Sequence, residues 1–302
     1  MKANKLIVIF GPTATGKTAL AAKLAHRFNG EIISADSRQI YRGMNIGTGK
    51  DYDDYFVNGE RVPAHLIDIA NPDEEYNLVR FISDFNDALN AIYSKNKLPF
   101  LVGGTMLYIH AVLKNYSLIK TDFPSEKFSQ LEKLSLEELQ KRFLEKNPKP
   151  HNTTDLNEKE RLIKAIIIAE EKSDEIISPK KTNSLNICVL PEREIIYKRI
   201  DARLENRLQN GMIEEVENLL ANGISFEKLD FFGLEYRYVG NYLAGKLNYN
   251  DMKQKLASAI KKFAKRQITW IRKLEREGVE IHYLSSPDER KAKELIENFL
   301  LG

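Results

Sequence analysis

The chain has 302 residues, 42% of them hydrophobic, and a formal net charge of +3. No apolar run approaches the roughly 18–20 residues of a membrane span, and the single cysteine, Cys188, can close no internal disulfide. Cys/His groupings of the zinc-module kind are missing and the N-terminus enters a strand without a signal-peptide pattern, so a cytoplasmic protein with no membrane partner is expected, and nothing in the composition demands more than a monomer.

The first predicted element is the strand Leu6–Phe10. It runs into Gly11-Pro12-Thr13-Ala14-Thr15-Gly16-Lys17-Thr18 and then into the helical Ala19–Ala25. Strand, loop and helix meet the spacing G-x-x-x-x-G-K-[ST] in full, the pattern of an ATP-binding motif. Glycines let the backbone wrap an anion, and the helix N-terminus aims N–H groups at it. Lys17 supplies an ammonium for the oxygens and Thr18 a hydroxyl placed to ligate Mg²⁺. The loop binds a diphosphate or larger polyphosphate without specifying which.

A second strand, Glu31–Ala35, ends in Asp36-Ser37-Arg38-Gln39-Ile40-Tyr41. In a parallel sheet that puts Asp36 beside the phosphate loop. A carboxylate there either binds Mg²⁺ through water or takes a proton from an attacking nucleophile, unless it only caps a turn. After the helical Leu78–Tyr93, with Leu78, Phe81, Ile82, Phe85, Leu89 and Ile92 on one face, a third strand at Leu98–Val102 ends in Gly103-Gly104-Thr105. Two glycines allow close backbone approach, and Thr105 can offer a hydroxyl to a phosphate oxygen.

A polar, Lys/Glu-rich helical stretch from about Ser117 to Thr182 follows, broken near its middle by Pro148 and Pro150. It reads as a small helical insertion domain lying on the core, not as a separate globule. The core resumes with the strand Asn186–Leu190, which holds Cys188 as a buried thiol. A helix with Arg199 and Arg203 comes next; four apart, they share one face and serve either the site or the surface. From Lys253 to Arg276 nine basic residues accompany one acid, Glu275. As a helix, this segment places Leu256, Ile260, Phe263, Trp270, Ile271 and Leu274 on one stripe, with Lys262, Lys265 and Arg266 away from it. Such a face suits an RNA backbone or is simply solvated. A last strand is predicted at Val279–Leu284. Strands alternating with helical crossovers give a three-layer α/β core like that of the P-loop NTPases, with a five-stranded parallel sheet, residues 1–116 and 183–302 around the inserted 117–182. Ligands of such a core gather at the carboxyl ends of its strands.

These pieces together resemble the tRNA dimethylallyltransferases (tRNA isopentenyltransferases), nearly end to end. The resemblance rests on residues 11–18, on Asp-Ser-Arg-Gln-Ile-Tyr-Arg-Gly-Met at 36–44, Ile46–Lys50, His65–Asp68 and Gly103–Tyr108. Arg199-Ile200, Arg203, Gly211–Val216 and Ala264–Trp270 extend it. It implies dimethylallyl diphosphate as donor, N6 of adenosine 37 in the tRNA anticodon stem-loop as acceptor, Mg²⁺ on Thr18, and Asp36 and Thr105 as catalytic residues. It further implies diphosphate contacts from the loop, Arg199 and Arg203. Implied tRNA contacts are Asp36, Ser37, Arg38, Gln39, Thr105, Lys127, Glu160, Arg161, Leu162, Ile163, Lys164, Lys262, Lys265 and Arg266. The chain departs from the family pattern in the insertion: Arg161 and Lys164 stand where two arginines are usual, and Lys127 where one is. The segment Gly233–Arg237 lacks the usual Gly-Tyr order. Three other readings stay open: a small-molecule or nucleoside kinase, which leaves the basic helix unexplained; a non-catalytic RNA-binding relative, against which Lys17, Thr18, Asp36 and Thr105 argue; and prenylation of free AMP.

Overall fold

A computed structural model describes residues 4–121, 125–146, 156–170 and 175–302. The chain divides into two compact units, residues 1–115 with 179–302, and residues 116–178. The predicted break at Pro148 and Pro150 lies outside the described residues.

The first unit opens with β1 (Lys5–Phe10), α1 (Lys17–Arg27) and β2 (Gly30–Ser34). A 3₁₀ turn at Tyr52–Tyr55, the hairpin β3 (Phe56–Val57) and β4 (Glu60–Arg61), and the short β5 (Ala64–His65) follow. Then come α2 (Leu78–Ser94), β6 (Leu98–Gly103) and α3 (Met106–Leu113). The second unit holds β7 (Leu118–Ile119), α4 (Ser125–Glu132), α5 (Leu136–Lys146), α6 (Lys159–Glu170) and β8 (Ile176–Ile177). The first unit resumes with β9 (Asn183–Val189), α7 (Arg193–Gln209), α8 (Met212–Ala221), α9 (Phe226–Phe232) and α10 (Leu234–Leu243). It closes with α11 (Tyr249–Arg276), β10 (His282–Leu284) and α12 (Glu289–Leu301).

One sheet in the order β10-β9-β1-β6-β2-β5, parallel throughout, forms the centre of the first unit. Central strands of a parallel sheet are covered on both faces and therefore read as unbroken apolar runs; β1 and β6 are buried along almost their whole length. Ile7, Ile9, Leu24, Ile32, Phe100 and Ile187 join Ile296 of α12 in one core cluster. The sheet has six strands, not the predicted five, because β5 adds an edge strand of two residues, too short to leave a period-two signature. The last strand also begins three residues later than predicted: α11 runs to Arg276, and Gly278 turns the chain in a left-handed conformation (φ +85°). The phosphate loop, Asp36 and Gly103–Thr105 all follow the carboxyl ends of adjacent strands β1, β2 and β6.

Helix α11 buries Met252, Leu256, Ile260, Ala264, Gln267, Ile271 and Leu274. The stripe differs from the predicted one at Phe263, which is exposed, at Trp270, which is half-buried, and at Gln267, a polar residue in its middle. Steps of four, then three, carry the seam past residue 263.

The second unit has a core of its own: Leu131, Leu139, Phe143, Leu162, Ile163, Ile166 and Ile167. The apolar positions of α5 and α6 are numerous enough to close on each other. Leu162 and Ile163, 0% and 1% exposed, belong to that core, so their side chains make no RNA contact. Lys127 lies 3.6 Å from Glu170, which also takes a forked pair of bonds from Arg142 (2.6 and 3.0 Å). Arg161 pairs with Glu158 and Lys164 with Glu160.

Candidate active site

The phosphate loop is shaped by close approach and by two left-handed residues, Ala14 (φ +63°) and Gly16. A Cβ on Gly11 would stand 2.4 Å from the carbonyl oxygen of Val189, and Gly16, at φ +80°, turns the chain into α1. Thr15 is buried and donates its hydroxyl to the Pro12 carbonyl (3.0 Å), so its N–H, not its side chain, is what remains for an anion. Lys17 folds back over the loop, with Nζ 3.4 Å from the same carbonyl. Burial pushes its ammonium down to about 8, with Asp36 opposing the shift and Arg203 adding to it.

Helix α7 reaches the loop from the far side. Arg199 donates to the Thr15 carbonyl (3.5 Å) and Arg203 to the Thr13 hydroxyl. Both arginines line the cavity beside the loop, Arg203 half-buried and Arg199 exposed. Burial, then repulsion from Arg207, drives the Arg203 guanidinium down to about 10, still cationic at neutral pH.

The second and third strand ends are stitched together. Thr105 N donates to the Ala35 carbonyl (3.1 Å), and Thr105 Oγ1 accepts from Ser37 N (2.9 Å) and lies 3.2 Å from Ser37 Oγ. Gly103 is needed there, since a Cβ would meet the Ala35 carbonyl oxygen at 2.2 Å. The Thr105 hydroxyl is thus engaged within the protein, not turned out to a phosphate as expected. Asp36 accepts from Arg38 N (3.0 Å) through Oδ1 and lines both lobes of the cavity. Gln39 uses its amide to donate to the Gly49 carbonyl (2.9 Å). Arg38 lies over the Phe231 ring, 5.3 Å from its centroid.

The cavity has two lobes. One, about 250 Å³, is lined by the phosphate loop with Thr18, Asp51, Asp54 and Arg199. The other, about 470 Å³, is lined by Ser37, Arg38, Thr105, Phe232, Tyr236 and Trp270 among others. Thr13, Lys17, Asp36, Thr48 and Arg203 line both. No group of three or more His, Cys, Asp or Glu residues able to hold a metal occurs among the described residues. The Thr18 hydroxyl and the carboxylates of Asp51 and Asp54 line the same lobe without forming such a group, so a magnesium ion there would take most of its ligands from water and a bound diphosphate.

Several residues that build the site carried no predicted role. Glu215 accepts from the N–H groups of Asn45, Ile46 and Gly47 (2.7, 2.7 and 3.0 Å) and from the Tyr236 hydroxyl (2.7 Å), fixing the loop that lines both lobes. The buried Lys50 donates to Asp68 and to the Tyr41 carbonyl (both 2.5 Å). Gln267 holds Thr13 and Gly104 together. All three lie within the stretches that carry the resemblance, which was the available signal. On α11, Lys262, Lys265 and Arg266 are exposed, and none has a carboxylate partner among the described residues. Lys261, by contrast, pairs with Asp201 and Lys253 with Glu205.

A family model described as IPP transferase matches residues 39–274, and one described as isopentenyl transferase matches residues 4–68. The tRNA dimethylallyltransferase 1 of Syntrophus aciditrophicus (strain SB) is 46% identical over 301 residues, 98% of this chain and 99% of the relative. A tRNA dimethylallyltransferase 2 of Bacteroides fragilis is 48% identical over 291 residues, 95% of each. The crystal structure of full-length tRNA isopentenylpyrophosphate transferase from Bacillus halodurans matches with a TM-score of 0.70 at 31% identity, covering 99% of this chain and 96% of that one. A eukaryotic dimethylallyltransferase acting on tRNA shares the fold, with a TM-score of 0.82 at 22% identity over 99% of this chain and 80% of its own.

Proposed function

The chain belongs to the IPP transferase family, and from that membership we infer that it transfers a dimethylallyl group from dimethylallyl diphosphate to N6 of adenosine 37 in tRNA, releasing diphosphate. The observation that carries the reading is the two-lobed cavity, whose lobes share Lys17, Asp36 and Arg203. The diphosphate occupies the polar lobe against the loop amides, Lys17, Arg199 and Arg203. The adenine, turned out of its stack as base-modifying enzymes require, enters the lobe lined by Phe232, Tyr236 and Trp270.

An exocyclic adenine amine is a weak nucleophile, so its proton must leave as it attacks the allylic carbon. Asp36, at the junction of the lobes, takes that proton. The carbon–oxygen bond to the diphosphate breaks, and Lys17, Arg199 and Arg203 stabilise the charge that grows on the leaving oxygen. Thr105 holds Ser37, and with it the Asp36 turn, in place. Thr18, helped by Asp51 and Asp54, would hold Mg²⁺, which supplies charge neutralisation on the diphosphate when bound.

The anticodon stem-loop lies along the exposed Lys262, Lys265 and Arg266, with Ser37, Arg38 and Gln39 at the mouth of the site. Arg161 and Lys164 are the candidates of the insertion, with Glu160 and Lys127 beside them in the same helical unit. The same reading has the protein acting as a cytoplasmic monomer. The deciding assay incubates the protein with radiolabelled dimethylallyl diphosphate and either unmodified tRNA or AMP. Label in tRNA alone is expected. Label in AMP, or ATP-dependent phosphorylation of a small acceptor without prenyl transfer, overturns the reading.

A further inference from the structure

Gln267 lies on the buried seam of α11, yet its side chain reaches past the seam to two strand ends. Oε1 accepts from the Thr13 N–H (3.0 Å), and Nε2 donates to the Gly104 carbonyl (2.8 Å). Only one orientation of the amide satisfies both partners, because one is a donor and the other an acceptor. The space for it is made by Gly104: a Cβ there would stand 2.7 Å from Nε2. Thr13 is held a second time through its hydroxyl, by Arg203. Gln267 is 4% exposed and its bond to the Gly104 carbonyl is buried, so that carbonyl is left without its partner when the amide is removed.

We propose that Gln267 is a positioning residue for prenyl transfer: its amide fixes the distance between the phosphate loop, which carries the donor, and the Gly104–Thr105 turn, which holds the Asp36 segment. The inference rests on the assignment of donor and base given above. It requires no contact between Gln267 and either substrate. The bridge acts through Thr13 on one side and through Gly104, Thr105 and Ser37 on the other. Because it springs from α11, it also ties both loops to the helix that carries the exposed Lys265 and Arg266.

Two variants test it. Gln267→Met keeps the volume and removes both bonds. Its kcat/KM for dimethylallyl diphosphate is expected to fall about 10–100-fold, the scale of an ångström misplacement of reacting groups, with tRNA affinity within a few-fold of wild type. Gln267→Glu accepts from Thr13 N–H in either protonation state but donates to the Gly104 carbonyl only as the neutral acid, a form favoured by burial. Its single-turnover rate, divided by that of wild type at the same pH, is therefore expected to climb at least several-fold from about pH 8.5 to about pH 6. A group that merely filled space would give a flat ratio. Unchanged kinetics in folded Gln267→Met, or a flat ratio for Gln267→Glu, overturns the proposal. A wild-type protein that transfers no prenyl group to tRNA overturns the functional reading instead, and the two failures are distinct.

Discussion

Gly49 and Arg207 share one volume. A Cβ on Gly49 would stand 1.8 Å from Arg207 Nη2, and Gly49 sits in the left-handed region at φ +68°. Arg207 is buried, donates to the Gly47 carbonyl (3.4 Å) and lies 3.7 Å from Glu235; its Nη2 has no hydrogen-bond partner among the described residues. A loop that lines the cavity and a helix that supplies its arginines are thus packed by the absence of one side chain.

Gly49→Ala is accordingly expected to cost about 2–4 kcal/mol, from overpacking and from left-handed strain, and to raise the KM for the donor. Shortening the neighbour should return part of this. The double variant Gly49→Ala with Arg207→Ala should be less destabilised than the sum of the single variants by about 1 kcal/mol or more, as contacting residues couple. Thermal melting of the four proteins decides it, and strict additivity would remove the steric account.

Lys17 links donor binding to pH. Its ammonium is buried and lowered from an ordinary 10.5 to about 8. As pH rises through about 8 the free enzyme loses the charge that meets the diphosphate, so donor affinity should fall above that point. Stability moves the other way. Between about 8 and 10.5 the unfolded chain holds the proton that the native Lys17 has released, so stability rises with pH across this window, and the penalty is fully present below it. Lys17→Ala should abolish the inflection in donor binding, raise the donor KM and lower kcat, while leaving tRNA affinity little changed. Donor titrations across pH with both proteins provide the check; an equal loss of tRNA affinity would show the loop's role misassigned.

Asp36→Asn preserves shape and accepts a hydrogen bond but takes no proton. Turnover is expected to drop about 10²–10⁴-fold, the usual cost of a lost general base, with donor and tRNA affinities within a few-fold. The single-turnover rate of the variant should stay low across a Mg²⁺ titration. Recovery with added metal would instead make Asp36 a magnesium-site carboxylate. Thr18→Ala is expected to show that recovery.

Replacing Lys262, Lys265 and Arg266 together by Ala should weaken tRNA binding and flatten its dependence on salt by up to ~3 in the logarithmic slope, since each phosphate left without its cation keeps its own counterion. Binding isotherms at several salt concentrations measure this directly. An unchanged slope places the RNA backbone on another surface.

The amino-acid order by itself determined the chemistry of the loop and the class of fold. Gly11–Thr18 between an apolar strand and a helix can fold in few other ways, and the runs at Leu6–Phe10, Leu98–Val102 and Asn186–Leu190 announce buried parallel strands because both their faces are apolar. Stretches 36–44 and 264–270 likewise marked the site, since their pattern is local and dense. The sequence could not reveal which side chains turn inward, because that depends on partners far along the chain. Thr105 meets Ser37 across 68 positions, Gln267 meets Thr13 across 254, and Glu215 closes on the Asn45–Gly47 amides across about 170. Leu162 and Ile163 left the set of RNA contacts for the same reason: helical periodicity told that they share a helix with Arg161 and Lys164, but only packing against α5 decided that they lie inside. Local pattern fixes elements and motifs, since it acts through neighbours on the chain. Burial, the pairing of polar groups and the choice among several candidate ligands are settled only when distant segments meet and compete for the same space.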